Sequence, residues 1–432
     1  MKKAKETEIL IVGAGASGLI AARQLAKAGK KVVILEARNR TGGRIWPLRD
    51  RDFGHEVQAG AEFVHGRAKI TKSLMNEADL TYIPADGNST LGEWWTADDG
   101  QLEKTQEFIS QEGLFKEKLK ELNEDMPLSA FLDRNLGEDK YAALRHSINK
   151  MVEGYDAADP DRISTFSIRD DWSNDEDLQQ GRIKEGYGAL LDFLESDCQR
   201  NGVEILLDHE VESIEIAGDG VRVQCLKKKK YDATKAIVTL PLSTWDRVCF
   251  APALPEKMAA ASKIGFGSVI KLLLRFKDEW WINARGKDLS KMMFMFSEEK
   301  VPTWWTQYPE RRPLLTGWIA GPRAEKFKTT LPEEILEMAF VSLVNIFQIA
   351  KESVRKNLVI SRVINWSADP LTRGAYSYPT PEATEALREL ATPVNNIIFF
   401  AGEALYNGKE TATVEGALGS GIDVAKKILG KE

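Results

Sequence analysis

The stretch from residue 8 to residue 36 leaves this chain few ways to fold. EILIV (Glu8 to Val12) is a short apolar run of strand type, and it stops at Gly13. Ala16 to Ala28 carries an apolar helical face, with Gly29 where a C-terminal cap belongs, and KVVIL (Lys31 to Leu35) is a second strand. Connections this short imply parallel strands joined by a right-handed crossover helix. The turn reads GAGASG, so Gly13, Gly15 and Gly18 have the spacing GxGxxG. Gly13 permits the tight turn, Gly15 admits a pyrophosphate against the backbone, and Gly18 lets the helix approach the sheet. The helix N-terminus adds amide hydrogens and the positive end of its dipole. Glu36 ends the second strand, where a carboxylate accepts hydrogen bonds from a ribose. The first candidate contacts to a dinucleotide are therefore Gly13, Gly15, Ala16, Ser17, Gly18, Glu36, Ala37 and Arg38.

At 432 residues the chain is long enough for two domains, and 43% apolar with 29% charged residues is a globular balance. A net charge of −6 argues against nucleic acid, which asks for a concentrated basic surface. Cys198, Cys225 and Cys249 form no CxxC pair, and the four histidines have no ligand-like spacing, so neither a disulfide frame nor a metal site is expected. The N-terminus lacks the long apolar core of a secretory signal. The longest uncharged helical stretch, Met338 to Ala350, falls short of the roughly 20 residues that cross a bilayer. A cytoplasmic protein without membrane contact is the expectation.

Residues 69–183 are rich in Glu, Lys, Leu and Asp, with helical periodicity over Phe108 to Leu122 and Lys140 to Val152. Strands return from Val203 to Pro241, with Lys227 to Lys230 as a solvated hairpin turn, and FGSVIKLLLRF gives another strand after Gly265. Thr330, Pro332 and Glu333 have the spacing of a capping box with proline in the first turn. A strand at Ile397 to Gly402 and a helix from Thr413 to Leu429 close the chain. The pattern predicts an α/β fold: a discontinuous, Rossmann-like dinucleotide domain of residues 1–68, 184–260 and 369–432. A second, α+β domain, residues 69–183 and 261–368, is inserted twice.

To this point the dinucleotide could be NAD or FAD. The segment after Glu36, EARNRTGGR, brings Gly42 and Gly43 close to the cofactor and adds Arg44, which can neutralise a pyrophosphate. This combination resembles the flavin-containing amine oxidase family, which includes monoamine oxidases, polyamine oxidases and lysine-specific histone demethylases. The resemblance implies FAD and recurs along nearly the whole chain. GAEFVHG resembles the segment beside the flavin ring and contributes Gly60, Ala61, Glu62 and Phe63; its His65-Gly66 ending is closer to polyamine oxidases. EGYGALLDFL resembles the return to the flavin domain, with Glu185 where glycine is usual, and Val211 matches a valine whose backbone holds the adenine end. FFAGEAL and ATVEGALGSG resemble the closing signature. There Gly402 and Glu403 are expected to present amides to a phosphate, with Thr413 and Val414 opening a helix whose positive end faces the flavin carbonyl.

The resemblance also implies a reaction. Lys271, in an apolar strand, matches a lysine that contacts a water beside the hydride-accepting nitrogen, and desolvation there would depress its pKa. Trp366 and Tyr376 match the aromatic residues flanking ring and substrate, and His65 is a candidate for orienting the substrate. Ala375 stands where monoamine oxidases bond covalently to the flavin, so FAD should be noncovalent; Thr413 replaces the second cage tyrosine. The expected chemistry is hydride loss from the α-carbon of a small-molecule amine, imine hydrolysis to a carbonyl compound, and reoxidation by dioxygen with release of hydrogen peroxide. The alternatives are an L-amino-acid oxidase, which needs a cation such as Arg49 or Arg51 for the substrate carboxylate, a flavin-dependent desaturase, and a flavin-binding interaction module. Trp94, Trp95, Trp172, Trp304 and Trp305 are candidate pocket walls; Asp98, Asp99 and Glu62 could serve the second ammonium of a polyamine, but isolated surface acids are the favoured reading.

Overall fold

The strand Val32–Leu35 is buried at all four positions, and Thr7–Val12 is buried from Ile9 onward. Continuous burial marks strands covered on both faces, as in parallel sheets. In the computed structural model, which describes residues 7–85, 92–105, 112–172, 180–226 and 228–431, these strands pair in parallel, Ile9 opposite Val32 and Val12 opposite Leu35. Glu204–Leu206 extends the sheet beyond Val32–Leu35, and Lys230–Val238 joins the other edge of Thr7–Val12. The far edge of Lys230–Val238 is shared, pairing in parallel with Ile398–Phe400 and antiparallel with Gly220–Cys225. Val211–Ala217 and Cys249–Ala251 complete a sheet of eight strands among the described residues. Residues far apart in sequence thus meet at the strand ends that follow Val12, Leu35, Val238 and Phe400.

The helices Ala16–Lys27, Tyr187–Arg200 and Val414–Leu429 share one apolar core. Glycine allows the close approach: a methyl on Gly421 would lie 2.4 Å from the Ser17 carbonyl oxygen. The opposite face is covered by the Val211–Cys225 hairpin and the helices Pro255–Ser262 and Ala383–Ala391.

A second sheet runs in the order Leu358–Asn365, Val269–Phe276, Leu314–Ala320, Thr303–Trp305, Met292–Ser297, Glu93–Asp98, Gln101–Thr105. It unites residues 93–105 with residues 269–365, and the helix Pro332–Phe347 packs against it. The helices Glu112–Lys120, Leu128–Leu136, Ala142–Tyr155 and Thr165–Trp172 form a separate apolar cluster. Part of the helical stretch expected from Phe108 lies outside the described residues, as does Lys227; Lys228 and Lys229 form the exposed turn before Lys230. No helix among the described residues is long and apolar enough to cross a membrane.

One local expectation is corrected. The N-cap of Pro332–Phe347 is Leu331, and no side chain caps it. Proline at the first helical position fixes φ there, which leaves Thr330 outside the helix, where its amide closes a turn on the Phe327 carbonyl. The helix also stops at Phe347, because Gln348 adopts a left-handed φ of 52°.

Candidate functional site

A cavity of about 720 Å³ runs from the glycine turn of the first sheet to the inner face of the second. Its size lies within the roughly 300–1,000 Å³ of cofactor and substrate sites. Apart from Gly18, every site residue predicted from the sequence lines it, including Gly43, Ala61 and Phe63. Gly18 packs the turn closely, since a methyl there would sit 2.0 Å from the Gly13 carbonyl oxygen.

At the nucleotide end Gly13 takes φ +106°, and the Gly42 amide bonds the Ala14 carbonyl at 2.8 Å, drawing the two glycine segments together. A methyl on Gly15 would meet nothing closer than 4.0 Å, so that position opens into the cavity. Gly15 caps the helix Ala16–Lys27 with no side-chain bond, and Ser17 Oγ is buried with no partner among the described residues. A helix N-terminus, whose first amides have no intrahelical partner, together with an unpartnered hydroxyl suits a phosphate. Glu36 accepts the amides of Ala14 and Arg38, both at 2.8 Å. Burial raises its pKa against those amides, and each oxygen keeps a lone pair for a ribose hydroxyl. Ala37 and Val211 border the same end, and Arg38 is paired with Asp369 at 2.9 Å.

Two groups expected to face a phosphate have partners within the protein. Arg44 donates to Glu403 Oε1 and to the Ala375 carbonyl, both at 2.7 Å, so its charge is met by a carboxylate. Glu403 is held as well by Ser377 Oγ at 2.6 Å. The Gly402 amide donates to Ser420 Oγ at 3.1 Å, so it is engaged within the protein. Buried donors and acceptors take partners wherever the fold supplies them, and here it supplies both. Thr413 caps the helix Val414–Leu429 through Gly416 N at 3.1 Å, which leaves that helix start on the cavity wall.

The far end is aromatic. Trp366 is buried and donates to the Ala59 carbonyl, while Trp94, Trp172, Trp305, Trp318, Phe294 and Phe296 line the wall. Trp95 and Trp304 instead pack in the core of the second sheet. Tyr376 donates to the Tyr155 carbonyl at 2.7 Å, and the Tyr155 hydroxyl meets His65 Nδ1 at 3.1 Å. Burial lowers the His65 imidazole to about 4. Lys271, 1% exposed, places Nζ 2.8 Å from Glu62 Oε2 and 3.1 Å from the Gly60 carbonyl oxygen. The expected surface acid Glu62 is therefore a buried counter-ion. Burial opposes its ionisation, but Lys271 and Arg182 hold it down at about 2.

Asp98 and Asp99 sit at the exposed turn between Glu93–Asp98 and Gln101–Thr105, away from the cavity. Arg49 pairs with Glu56 and Asp192 on the surface, and Arg51 is exposed. Tyr155, Asp156 and Asp171, which the sequence reading passed over, line the far end. Asp156 Oδ2 is buried with no partner among the described residues. Burial, and then the charge of Asp171, raise its carboxyl well above the usual range.

Residues 16–429 match the family model of flavin-containing amine oxidoreductases. The chain belongs to that family. It is 27% identical over 447 residues to lysine-specific histone demethylase 2 of Homo sapiens, covering 97% of this chain and 53% of that protein. It is 28% identical over 460 residues to polyamine oxidase 5 of Oryza sativa subsp. japonica, covering 98% and 88%. The chain thus spans about half the length of the demethylase and most of the polyamine oxidase. The fold matches a putrescine oxidase bound to putrescine with a TM-score of 0.78 at 19% identity, covering 98% of this chain and 99% of that one. It matches cyclohexylamine oxidase from Brevibacterium oxydans IH-35A with a TM-score of 0.79 at 17% identity, covering 99% of each. A flavin-containing amine oxidoreductase holds its cofactor as FAD, and the open Gly15, the unpartnered Ser17 Oγ and Glu36 at one end of this cavity fit that dinucleotide.

Proposed function

We propose that the chain is an FAD-dependent oxidase of small amines that carry a second, cationic nitrogen. The observation behind this reading is Asp156: a carboxylate with a buried, unpartnered oxygen at the aromatic end of the cavity. Burying such a group without a partner is costly, and an ammonium is the partner that relieves both the missing hydrogen bond and the repulsion from Asp171. Polyamine oxidases among the relatives, and a putrescine oxidase among the structural neighbours, are consistent with it.

The nucleotide end, from Gly13 to Ser17 with Glu36 and Val211, would hold FAD, noncovalently because Ala375 offers no thiol. Bound there, FAD supplies hydride acceptance from the amine α-carbon and electron transfer to dioxygen, giving hydrogen peroxide and an imine that hydrolyses to a carbonyl compound. The protein's own part is orientation and exclusion of water. Trp366 and Tyr376 wall the reacting end, so an amine between them loses its hydration and is favoured in the neutral form. His65, neutral at physiological pH, can donate or accept a hydrogen bond without adding charge.

The amino-acid oxidase alternative fares worse, because five of the cations along the cavity are paired with carboxylates. Lys271 meets Glu62, Arg44 meets Glu403, Arg38 meets Asp369, Arg247 meets Glu210 and Lys150 meets Glu298. The test is anaerobic mixing of the yellow protein with diamines, polyamines, monoamines and amino acids, followed by a peroxide assay in air. Bleaching by a diamine, with the yellow colour released into the supernatant on acid precipitation, is the expected result. Bleaching by no amine would refute the oxidase reading. Faster bleaching by an amino acid than by its decarboxylated amine would transfer the assignment to the alternative.

A further inference from the structure

Glu62 sits where several separate elements converge on one carboxylate. Oε2 accepts Lys271 Nζ at 2.8 Å. Oε1 accepts Arg182 Nε at 3.2 Å, Trp305 Nε1 at 3.0 Å and Gln307 Nε2 at 3.1 Å. Arg182 is itself fixed, donating to the carbonyls of Thr306 and Tyr308 and lying 4.4 Å over the Phe63 ring. Strand register explains the convergence: Phe63 pairs with Arg182 across Phe63–His65 and Gln180–Ile183, which sets the guanidinium beside the neighbouring Glu62. Lys271 comes from the middle of Val269–Phe276, between Trp318 and Ile364 on the adjoining strands. A carboxylate accepting from four side chains has no rotamer freedom left to lose.

An ammonium has three donors. Lys271 uses one on Glu62 and one on the Gly60 carbonyl, and the residue lines the cavity. We propose that Glu62 is a positioning residue that holds Lys271 as a fixed ammonium with its remaining N–H turned to the cavity. Lys271 then serves as a hydrogen-bond donor and not as a proton acceptor. The charged groups facing Lys271 are Glu62 and Arg182; Trp305 and Trp318, from neighbouring strands, are uncharged. Burial lowers the Lys271 pKa, Glu62 opposes this, and Arg182 adds to it. The inference rests on the reading that this cavity is the reaction chamber, but its test needs no amine.

The enzyme is photoreduced with a sacrificial donor. Its reoxidation by dioxygen and its visible flavin spectrum are then followed from pH 6 to pH 9. The wild type is expected to show no ionisation assignable to Lys271. In Glu62→Gln, which keeps the shape and removes the charge, burial and Arg182 act unopposed. One new ionisation should enter that window, with the reoxidation rate following a one-proton titration curve on which the ratio of the two forms changes about tenfold per pH unit. Adding Lys271→Met to Glu62→Gln should abolish it. Superposable wild-type and Glu62→Gln profiles, or an ionisation that survives in the double variant, would overturn the proposal. If Glu62→Gln fails to fold, the wild type still decides the matter: an ionisation between pH 6 and pH 9 that Lys271→Met removes would also overturn it. Loss of turnover with amines alone, the flavin profiles holding, would count against the substrate reading and leave the lysine's state supported.

Discussion

Replacing Asp156 by Asn should move substrate selectivity and stability in opposite directions. In the empty protein Asp156 carries a buried, unpartnered oxygen beside a second acid, and its folded-state pKa is raised. The folded state therefore holds this proton more tightly than the unfolded chain does. Stability contributed by the group falls as pH rises past the unfolded carboxyl value, about 4, and the penalty persists at pH 7. Asparagine carries no such penalty, so Asp156→Asn should melt higher than the wild type at pH 7, and the gap should close as pH falls towards 4. With a diamine bound, the missing interaction is a hydrogen bond between charged groups, contributing about 1.5–3 kcal/mol. At about 1.4 kcal/mol per decade this is a loss of roughly 10- to 150-fold in kcat/KM. The loss should be confined to substrates with a second ammonium. A peroxide-coupled assay comparing a diamine with the monoamine of equal chain length reads the ratio directly, and melting curves from pH 4 to pH 8 read the other half. Equal losses on both substrates, or a lower melting temperature at pH 7, would refute the reasoning.

Three further substitutions test other parts of the site. His65 titrates near 4 in the folded protein against about 6.5 unfolded, so the folded state binds fewer protons between those values and stability drops as pH falls through them. His65→Gln should flatten that acid limb in melting-temperature measurements, and a limb unchanged by the substitution would contradict the burial argument. Gly18→Ala should force the glycine turn apart, at a cost of about 1–3 kcal/mol, because its methyl would lie 2.0 Å from a backbone oxygen. Gly15→Ala, with 4.0 Å of clearance, should melt normally yet bind FAD at least roughly tenfold more weakly, because its methyl occupies the path of the pyrophosphate. Equal flavin content in Gly15→Ala and wild type would remove the phosphates from that turn.

What could be read from residues alone follows the range of the interactions involved. The glycine turn, Glu36 and the strands on either side obey local rules, so their placement was legible within thirty residues of sequence. Lys271 was legible as a buried lysine in need of a partner, because its apolar neighbours describe a strand covered on both faces. The identity of that partner was not: Glu62 lies more than two hundred positions away, and the signal was only an acid beside an apolar strand. Asp156 was invisible for a similar reason. It follows the helix Ala142–Tyr155 in a GYDAAD stretch with no periodicity, and only the packing of that helix against the second sheet sets it on the cavity wall. Arg44 and Gly402 show the converse, since a motif names a ligand while the fold also offers Glu403 and Ser420.

The two carboxylates explain how one cavity could select and orient a doubly aminated substrate. Near Trp366 the one carboxylate Glu62 is shared by Lys271 and Arg182, so an amine nitrogen arriving there meets aromatic walls and a net positive cluster, and is disfavoured in its protonated form. Beside Tyr376 at the same aromatic end, Asp156 has an oxygen without a partner among the described residues and a neighbouring acid that repels it, so a nitrogen arriving there is held best when protonated. A diamine bound with one nitrogen at Trp366 and the other at Asp156 would lose the proton of the first and keep that of the second. A monoamine fills the first position and leaves the Asp156 penalty standing; an amino acid brings its carboxylate to a wall where Lys271, Arg44 and Lys150 are already bound to carboxylates. Selectivity on this account comes from where positive charge is in excess and where a carboxylate is left without a partner, and the ratio measured with Asp156→Asn isolates the second of these.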